Sequence, residues 1–235
     1  MTGKTVLITG AAGALGSELS FLFAKAGTNV ILLDKNQRAL ERLYDGIVAE
    51  NAQEPAIMPA DLAAISPDDV SQMLEAIKGE FGGIDAIIHC AARFNGLCPQ
   101  ENLQPEEWLA QIQVNLNAAW LLSSMGIPYL RESEGGQLVF VLEELDKVNG
   151  AHWGAYGVSK LALGALVQQL SEEYRSSALQ VLGINPGPFS SPLRAEVYFD
   201  EDPSSLPTAE QTAARLMDYL AAAGTESGIV DLHPS

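Results

Sequence analysis

Tyr156 and Lys160 are the residues whose types and spacing most directly suggest chemistry. They stand four positions apart in a stretch with helical periodicity, so they share a helix face one turn apart. A protonated lysine beside a phenol stabilises the phenolate and lowers the phenol's pKa. Tyr156 could then give a proton to a carbonyl oxygen that is taking up hydride. By itself, a Tyr-x-x-x-Lys pair is common on exposed helix faces and is better explained by a solvated one.

A second constellation lies at the start of the chain. "TGAAGALGS" follows an apolar run and opens a helical pattern, with glycines at Gly10, Gly13 and Gly16. Such glycines allow a tight turn and let backbone approach a pyrophosphate at a helix N-terminus. Leu15, between the last two glycines, and Ala91, beyond the fourth apolar run, belong to the same expected cofactor surface. Asp34 ends the second run, 18 residues after Gly16, where a carboxylate can accept both ribose hydroxyls of NAD. A carboxylate there would repel a 2′-phosphate, so NAD is expected, with NADP the alternative because Lys35 and Arg38 follow closely. Asp61 and Leu62, in "ADL", could border the adenine, although Asp61 could instead be a helix N-cap.

The elements that must position these residues alternate regularly. Strand-like runs fall at 5–9, 29–34, 56–61, 84–90, 137–142, 179–184 and 228–232. They are rich in Val, Ile and Leu with little polar alternation, as strands covered on both faces should be. Helical patterns lie near 15–26, 36–51, 67–80, 105–131, 152–176 and 208–222, with Pro67 and Pro105 where a first turn tolerates proline. This rhythm predicts an α/β fold: a single-domain, doubly wound parallel sheet of about seven strands spanning 1–235, with helices on both faces.

Composition bounds the partners. The 235 residues suit one domain, and a net charge of −17 disfavours nonspecific binding to nucleic acid or an anionic membrane. Cys90 and Cys98 fit neither a redox motif nor a zinc site, so free thiols and a reducing, cytoplasmic setting are expected, with no metal. No apolar run approaches the ~18 residues needed to span a bilayer. The first residues mimic a signal peptide, but their glycine spacing is better explained by the nucleotide turn, so no cleavage is expected.

Taken in order, "TGAAGALG", "ADL", "VNLNAAW", "YGVSK" and "INPGPFSS" resemble the short-chain dehydrogenase/reductase family over nearly the whole chain. The resemblance implies a Rossmann-like domain and hydride transfer between NAD(P) and a small carbonyl or alcohol. It implies that Tyr156 is the acid/base, and that Lys160 lowers the tyrosine pKa and binds the nicotinamide ribose. Asn115 would sit in a mid-helix irregularity and hold a relay water. Pro186, Gly187 and Phe189 would flank the nicotinamide, with Ser191 near its amide. The segment 189–207 would be a substrate lid, with Phe189, Val197, Tyr198 and Phe199 suggesting an apolar pocket, although ordinary core packing explains them equally well. The helices at 105–131 and 152–176 resemble the family's paired interface helices, which implies a homodimer or homotetramer.

Three features depart from the family pattern. Ala14 stands where single-domain members usually have their middle glycine. "HCAA" at 89–92 replaces Asn-Asn-Ala-Gly, with His89 expected to be a packed or hydrogen-bonded core histidine. Glu143, thirteen positions before Tyr156, stands where the family has the serine that hydrogen-bonds the substrate carbonyl. No serine or threonine occurs from Leu138 to Val158 to substitute for it, and Ser159 lies about 100° round the helix from Lys160. An ionised Glu143 would raise the tyrosine pKa and oppose a developing oxyanion; a neutral one, kept so by a dry pocket, could donate as serine does.

Three readings follow. The first is an NAD(P)-dependent oxidoreductase whose alcohol oxidation Glu143 impairs. The second is a dinucleotide-binding sensor or scaffold without turnover. The third is another reaction on the same scaffold, such as dehydration or epimerisation, with Glu143 as base.

Overall fold

The computed structural model describes residues 2–222 and 226–232. Strands β1 (Thr5–Thr9), β2 (Asn29–Asp34), β3 (Ala56–Pro59), β4 (Ala86–His89), β5 (Gln137–Val141), β6 (Gln180–Asn185) and β7 (Gly228–Asp231) form one sheet in the order β3-β2-β1-β4-β5-β6-β7. Every neighbouring pair is parallel. The order reverses between β1 and β4, which opens a crevice above their C-terminal ends, the place where such sheets bind ligands.

Helices between the strands are α1 (Ala14–Lys25), α2 (Gln37–Ala49), α3 (Pro67–Phe81), α4 (Pro105–Ile112), α5 (Ala118–Glu132), α6 (Leu145–Val148), α7 (Gly154–Glu173), α8 (Pro192–Val197) and α9 (Ala209–Ala221). Period-two alternation along the strands divides the core into two layers. Leu7, Ile31, Ile87, Leu138 and Val181 face buried side chains of α3, α5 and α7, including Leu74, Leu122 and Val167. Val6, Ile8, Val30, Ile88 and Leu182 face Leu19 and Phe23 of α1, Leu40 of α2 and Leu216 of α9. Both sheet faces are therefore dry, which explains the unalternating strand sequences; each fully buried side chain of this kind contributes ~1.5–3 kcal/mol.

Two local features deviate from simple periodicity and both bear on the site. The helical pattern at 105–131 is interrupted by a π turn at Gln113–Asn117 between α4 and α5. Its buried member is Asn115, so the extra residue per turn re-aims that side chain inward. The pattern at 152–176 starts as a helix only at Gly154, because His152 (φ 73°) and Gly154 (φ 53°) adopt left-handed conformations that turn the chain into α7. Among the described residues no helix is long and apolar enough to cross a membrane.

Candidate active site

The crevice is a continuous cleft of about 550 Å³ running from the β1–α1 turn to the α8 segment. Gly10 (φ 66°) lies so close to the next strand's loop that a Cβ there would stand 2.7 Å from the Ala91 backbone. A Cβ on Gly16 would collide with the Gly10 carbonyl oxygen. The turn therefore requires glycine at both positions. Gly13 is the N-cap of α1 and offers no side-chain cap, and the first turn of α1 carries no acidic residue. The uncapped N–H groups and the positive end of the helix dipole thus open on the cleft, a setting that suits a phosphate. Gly13, Leu15 and Gly16 line it.

Asp34 closes the same end. Its Oδ1 accepts from the Asn36 N–H at 2.9 Å and its Oδ2 from the Ala12 N–H at 3.3 Å, so β2 and the glycine turn hold the carboxylate between them. Lys35, Asp61, Leu62 and Ala91 also border the cleft. Asp61 does not cap a helix. It accepts from the Ala63 N–H at 2.9 Å within a turn, and the N-cap of α3 is Ser66, which shares a capping box with Asp69. A shallower depression beside Asp61 is lined by Lys35 and Arg38.

At the other end, β5 and α7 bring Glu143 and Tyr156 together. The Tyr156 hydroxyl donates to Glu143 Oε1 at 2.7 Å. Tyr156 is fully buried, and burial first, then the Glu143 charge and their hydrogen bond, hold the phenol well above its ordinary value of 10. This is opposite to the lowering expected from Lys160. The ammonium Nζ donates to the Val141 carbonyl at 2.9 Å and stands 5.7 Å from the Tyr156 ring centre. Burial lowers the Lys160 pKa, against the pull of Glu143 and Cys90. The Cys90 thiol is itself pushed up to about 12 by its apolar surroundings despite Lys160, so it is a poor nucleophile.

Asn115 lies behind the cleft wall. Its Oδ1 accepts from the Arg93 N–H at 2.7 Å, and its Nδ2 donates to the Arg93 carbonyl at 2.9 Å and to Ser159 Oγ at 3.1 Å. Ser159 in turn donates to the Tyr156 carbonyl at 2.7 Å, so it faces the π turn rather than the cleft. His89 is a core residue: it stacks on Phe140 with ring centres 4.8 Å apart and pairs with Ser123 Oγ at 3.0 Å.

The substrate end has an aromatic wall that the spacing of motifs did not indicate. Phe94 meets Tyr156 edge-on at 5.0 Å, and Trp153 lies 5.8 Å from Phe94 and 5.9 Å from Tyr156. Phe94 comes from the β4–α4 loop and Trp153 from the entry to α7, so only folding joins them. Phe189, Ser191, Arg194, Val197 and Tyr198 complete the far side, together with Pro186 and Gly187. Gly187 (φ 74°) makes the turn after β6, where its N–H donates to Asn185 Oδ1 at 3.1 Å. Phe199, expected in the apolar pocket, is instead 84% exposed, because α8 ends before it and turns it outward. The α8 segment is held by a two-pronged ion pair from Arg194 to Glu201 at 2.5 and 2.7 Å, with Tyr198 under the guanidinium.

A sheet of this order with a glycine turn, a Tyr-x-x-x-Lys helix and an asparagine π turn defines a class, and comparison with known proteins agrees. The short chain dehydrogenase family model matches residues 4–202. The chain therefore belongs to the short-chain dehydrogenase family of oxidoreductases. It is 32% identical to the Escherichia coli protein named uncharacterized oxidoreductase YciK over 88% of this chain and 82% of that one. Among solved structures, a short-chain dehydrogenase from Shigella flexneri complexed with NADP is 29% identical and superposes with a TM-score of 0.91, covering 100% of this chain and 98% of that one. An Escherichia coli short-chain dehydrogenase complexed with NADPH gives the same TM-score of 0.91 at 30% identity, over 100% and 98% of the two chains.

Proposed function

We propose that this protein transfers hydride between a nicotinamide dinucleotide and a small carbonyl or alcohol substrate, and that it works chiefly as a reductase. The observation that carries the reading is a single cleft that joins the glycine turn to Tyr156 and Lys160, with the Tyr156–Glu143 hydrogen bond of 2.7 Å in its wall. Gly10, Gly13, Leu15 and Gly16 suit the pyrophosphate, Asp34 the adenine ribose, and Asp61, Leu62 and Ala91 the adenine side. Lys160, Pro186, Gly187, Phe189 and Ser191 suit the nicotinamide end. When bound, the dinucleotide supplies or accepts the hydride.

The chain's own residues manage the proton and the substrate. A phenol held far above its usual pKa stays protonated, so Tyr156 is ready to donate to a carbonyl oxygen and poorly suited to take a proton from an alcohol. Asn115 holds the backbone at Arg93, and with it the placement of Phe94, at the substrate end. The 189–207 segment acts as the lid, clasped through Arg194 and Glu201. NAD is the preferred cofactor because a carboxylate occupies the ribose position; Lys35 and Arg38 are the side chains that would receive a 2′-phosphate, the group carried by the NADP of the structural relatives.

The test is titration with both reduced dinucleotides, followed by a panel of ketones and aldehydes monitored through loss of reduced-nicotinamide absorbance. Turnover supports the reductase reading. Tight cofactor binding with no turnover on any carbonyl would favour the sensor or scaffold, which the carboxylate on Tyr156 also motivates.

A further inference from the structure

A carboxylate touching the proton donor is hard to reconcile with a substrate whose reacting atom becomes an oxyanion. The same carboxylate suits a reacting atom that begins as a cation. Resting on the hydride-transfer reading above, we propose that the preferred acceptor is a protonated imine, the nitrogen analogue of a carbonyl, bound with its N–H directed at Glu143.

Three observations lead there. The first is charge pairing at the substrate end. Arg194 is held by Glu201, Lys147 by Glu144, and Arg93 by Glu107. Among the described residues Glu143 is in no ion pair, and its hydrogen-bond partner is a neutral phenol. Lys160 and Arg194 stand close enough to feel its charge, but Nζ of Lys160 is committed to the Val141 carbonyl and the Arg194 guanidinium to Glu201. The second is the aromatic wall: Phe94, Trp153 and Tyr156 make mutual contact and line the cleft with Glu143. Aromatic rings beside a carboxylate suit an organic cation better than an anion. The third is position: Glu143 Oε1 lies within hydrogen-bond distance of the Tyr156 hydroxyl, so a ligand atom placed to meet that hydroxyl also meets the carboxylate.

The chemistry balances without a proton donor. The iminium carbon accepts a hydride, two electrons and one proton's mass, from the reduced dinucleotide. The C=N π pair moves onto nitrogen, and the cation becomes a neutral secondary amine while the dinucleotide leaves oxidised. Positive charge at nitrogen is lost along this path, so Glu143 acts on the bound acceptor by raising the fraction that is protonated and therefore reducible, whereas a serine would favour a ketone. Tyr156 then orients the N–H and the carboxylate and need not release its proton in the hydride step.

The test uses the full chain loaded with reduced cofactor. In isothermal titration, pyrrolidinium chloride is compared with cyclopentanol, a neutral ring of the same size. We expect the cation to bind about tenfold more tightly, the scale of one charge-assisted or cation–π contact, and the difference to vanish in Glu143→Gln. In turnover, methylpyrroline at mildly acidic pH should be reduced faster than cyclopentanone, and Glu143→Ser should reverse the preference. Circular dichroism and cofactor affinity establish that each variant is folded. Equal or weaker binding of pyrrolidinium, or a wild-type preference for cyclopentanone, overturns the proposal. Reduction of the ketone without the imine would leave the hydride-transfer reading standing while this inference falls; failure to bind reduced cofactor would bring down both.

Discussion

Glu143 accepts the Tyr156 hydroxyl proton in a 2.7 Å hydrogen bond, so the side chain expected to act on a substrate is satisfied by its neighbour instead. The bond ties the segment just after β5 to the first turn of α7 and sets the polarity of the reacting end. A carbonyl oxygen entering there must displace Glu143 to receive the Tyr156 hydroxyl proton, and it meets a carboxylate where the family resemblance places a serine hydroxyl. Donors aimed at an oxyanion are worth ~10²–10³ in rate, and an acceptor in the same place opposes the charge. Glu143→Ser should therefore raise kcat on ketones, by about tenfold. The gain is smaller than a native donor provides, because an ångström of misplacement alone costs ~100-fold. Steady-state kinetics on a ketone turned over by both proteins decides it; a variant no faster than the wild type counts against this account.

The direction of the Tyr156 shift predicts a pH asymmetry. Alcohol oxidation needs the phenolate and carbonyl reduction needs the phenol. With burial and Glu143 holding the phenol well above 10, reduction should stay flat from neutral into alkaline pH, while oxidation should keep climbing with pH and reach no plateau near neutrality. Replacing Glu143 by serine removes the second and third causes of the shift but not burial, so the oxidation limb should move to lower pH without returning to an ordinary phenol. Coincident oxidation profiles for the two proteins would argue against Glu143 as a contributor.

His89 gives a separate, stability-linked prediction. Burial lowers its pKa from 6.5 to about 3, so the folded protein keeps the imidazole neutral where the unfolded chain would protonate it. The contribution of this group is fully present above pH 6.5 and is lost as pH falls toward about 3, at roughly 1.4 kcal/mol per pH unit within that window. His89→Asn, which keeps a polar group near Ser123 without a titrating ring, should flatten the decline in Tm between neutral and mildly acidic pH. Melting curves measured across that range test it, and parallel declines would refute the assignment.

The parts of this structure that were legible in advance are those encoded by local pattern. Unbroken Val, Ile and Leu runs marked a sheet dry on both faces; six of the seven strands fall within the expected runs, and β6 is displaced by one residue to end at Asn185. Boundaries moved where local chemistry intervened: the third strand stops at Pro59, and the fourth is paired only from Ala86 to His89. The short helices α6 and α8 were not anticipated, being too brief to show a period. Gly10 and Gly16 could be read because close backbone approach leaves a residue-type signature. The Phe94–Trp153–Tyr156 wall could not, because aromatic residues in separate segments carry no mark of meeting. The direction of the Tyr156 shift also needed coordinates, since burial is its largest cause and the contacts of Glu143 and Lys160 decide the rest.

Asp34 makes cofactor choice measurable. Its carboxylate is held by the N–H groups of Asn36 and Ala12, so it cannot swing aside to admit a 2′-phosphate without breaking both bonds. NADH should bind more tightly than NADPH, and Asp34→Ser should reverse or abolish the difference by letting Lys35 and Arg38 reach the phosphate. Fluorescence titration of both proteins with both dinucleotides is the measurement. Equal or tighter NADPH binding by the wild type would transfer the assignment to the two basic residues.

Assembly is the remaining expectation that the surface can support. Leu109 on α4, Trp120 on α5 and Val158 on α7 are 66%, 53% and 44% exposed; α4 packs against α7, and the π turn between α4 and α5 contacts all three helices. These side chains are not needed to cover the sheet, since Leu122, Ile127, Leu163 and Val167 of the same helices already do so. An exposed indole of this size is commonly stabilised by a partner, and burying one such side chain contributes ~1.5–3 kcal/mol. The protein should therefore form a homodimer or homotetramer through this helical face. Trp120→Glu would place a charge in each copy of the interface, and because isologous interfaces repeat every change, the penalty is doubled in a dimer. The variant should shift to a smaller species in light scattering at micromolar concentration while keeping its circular dichroism spectrum and cofactor affinity. A wild-type protein that scatters as a monomer, or a Trp120→Glu variant that stays assembled, would place any interface elsewhere.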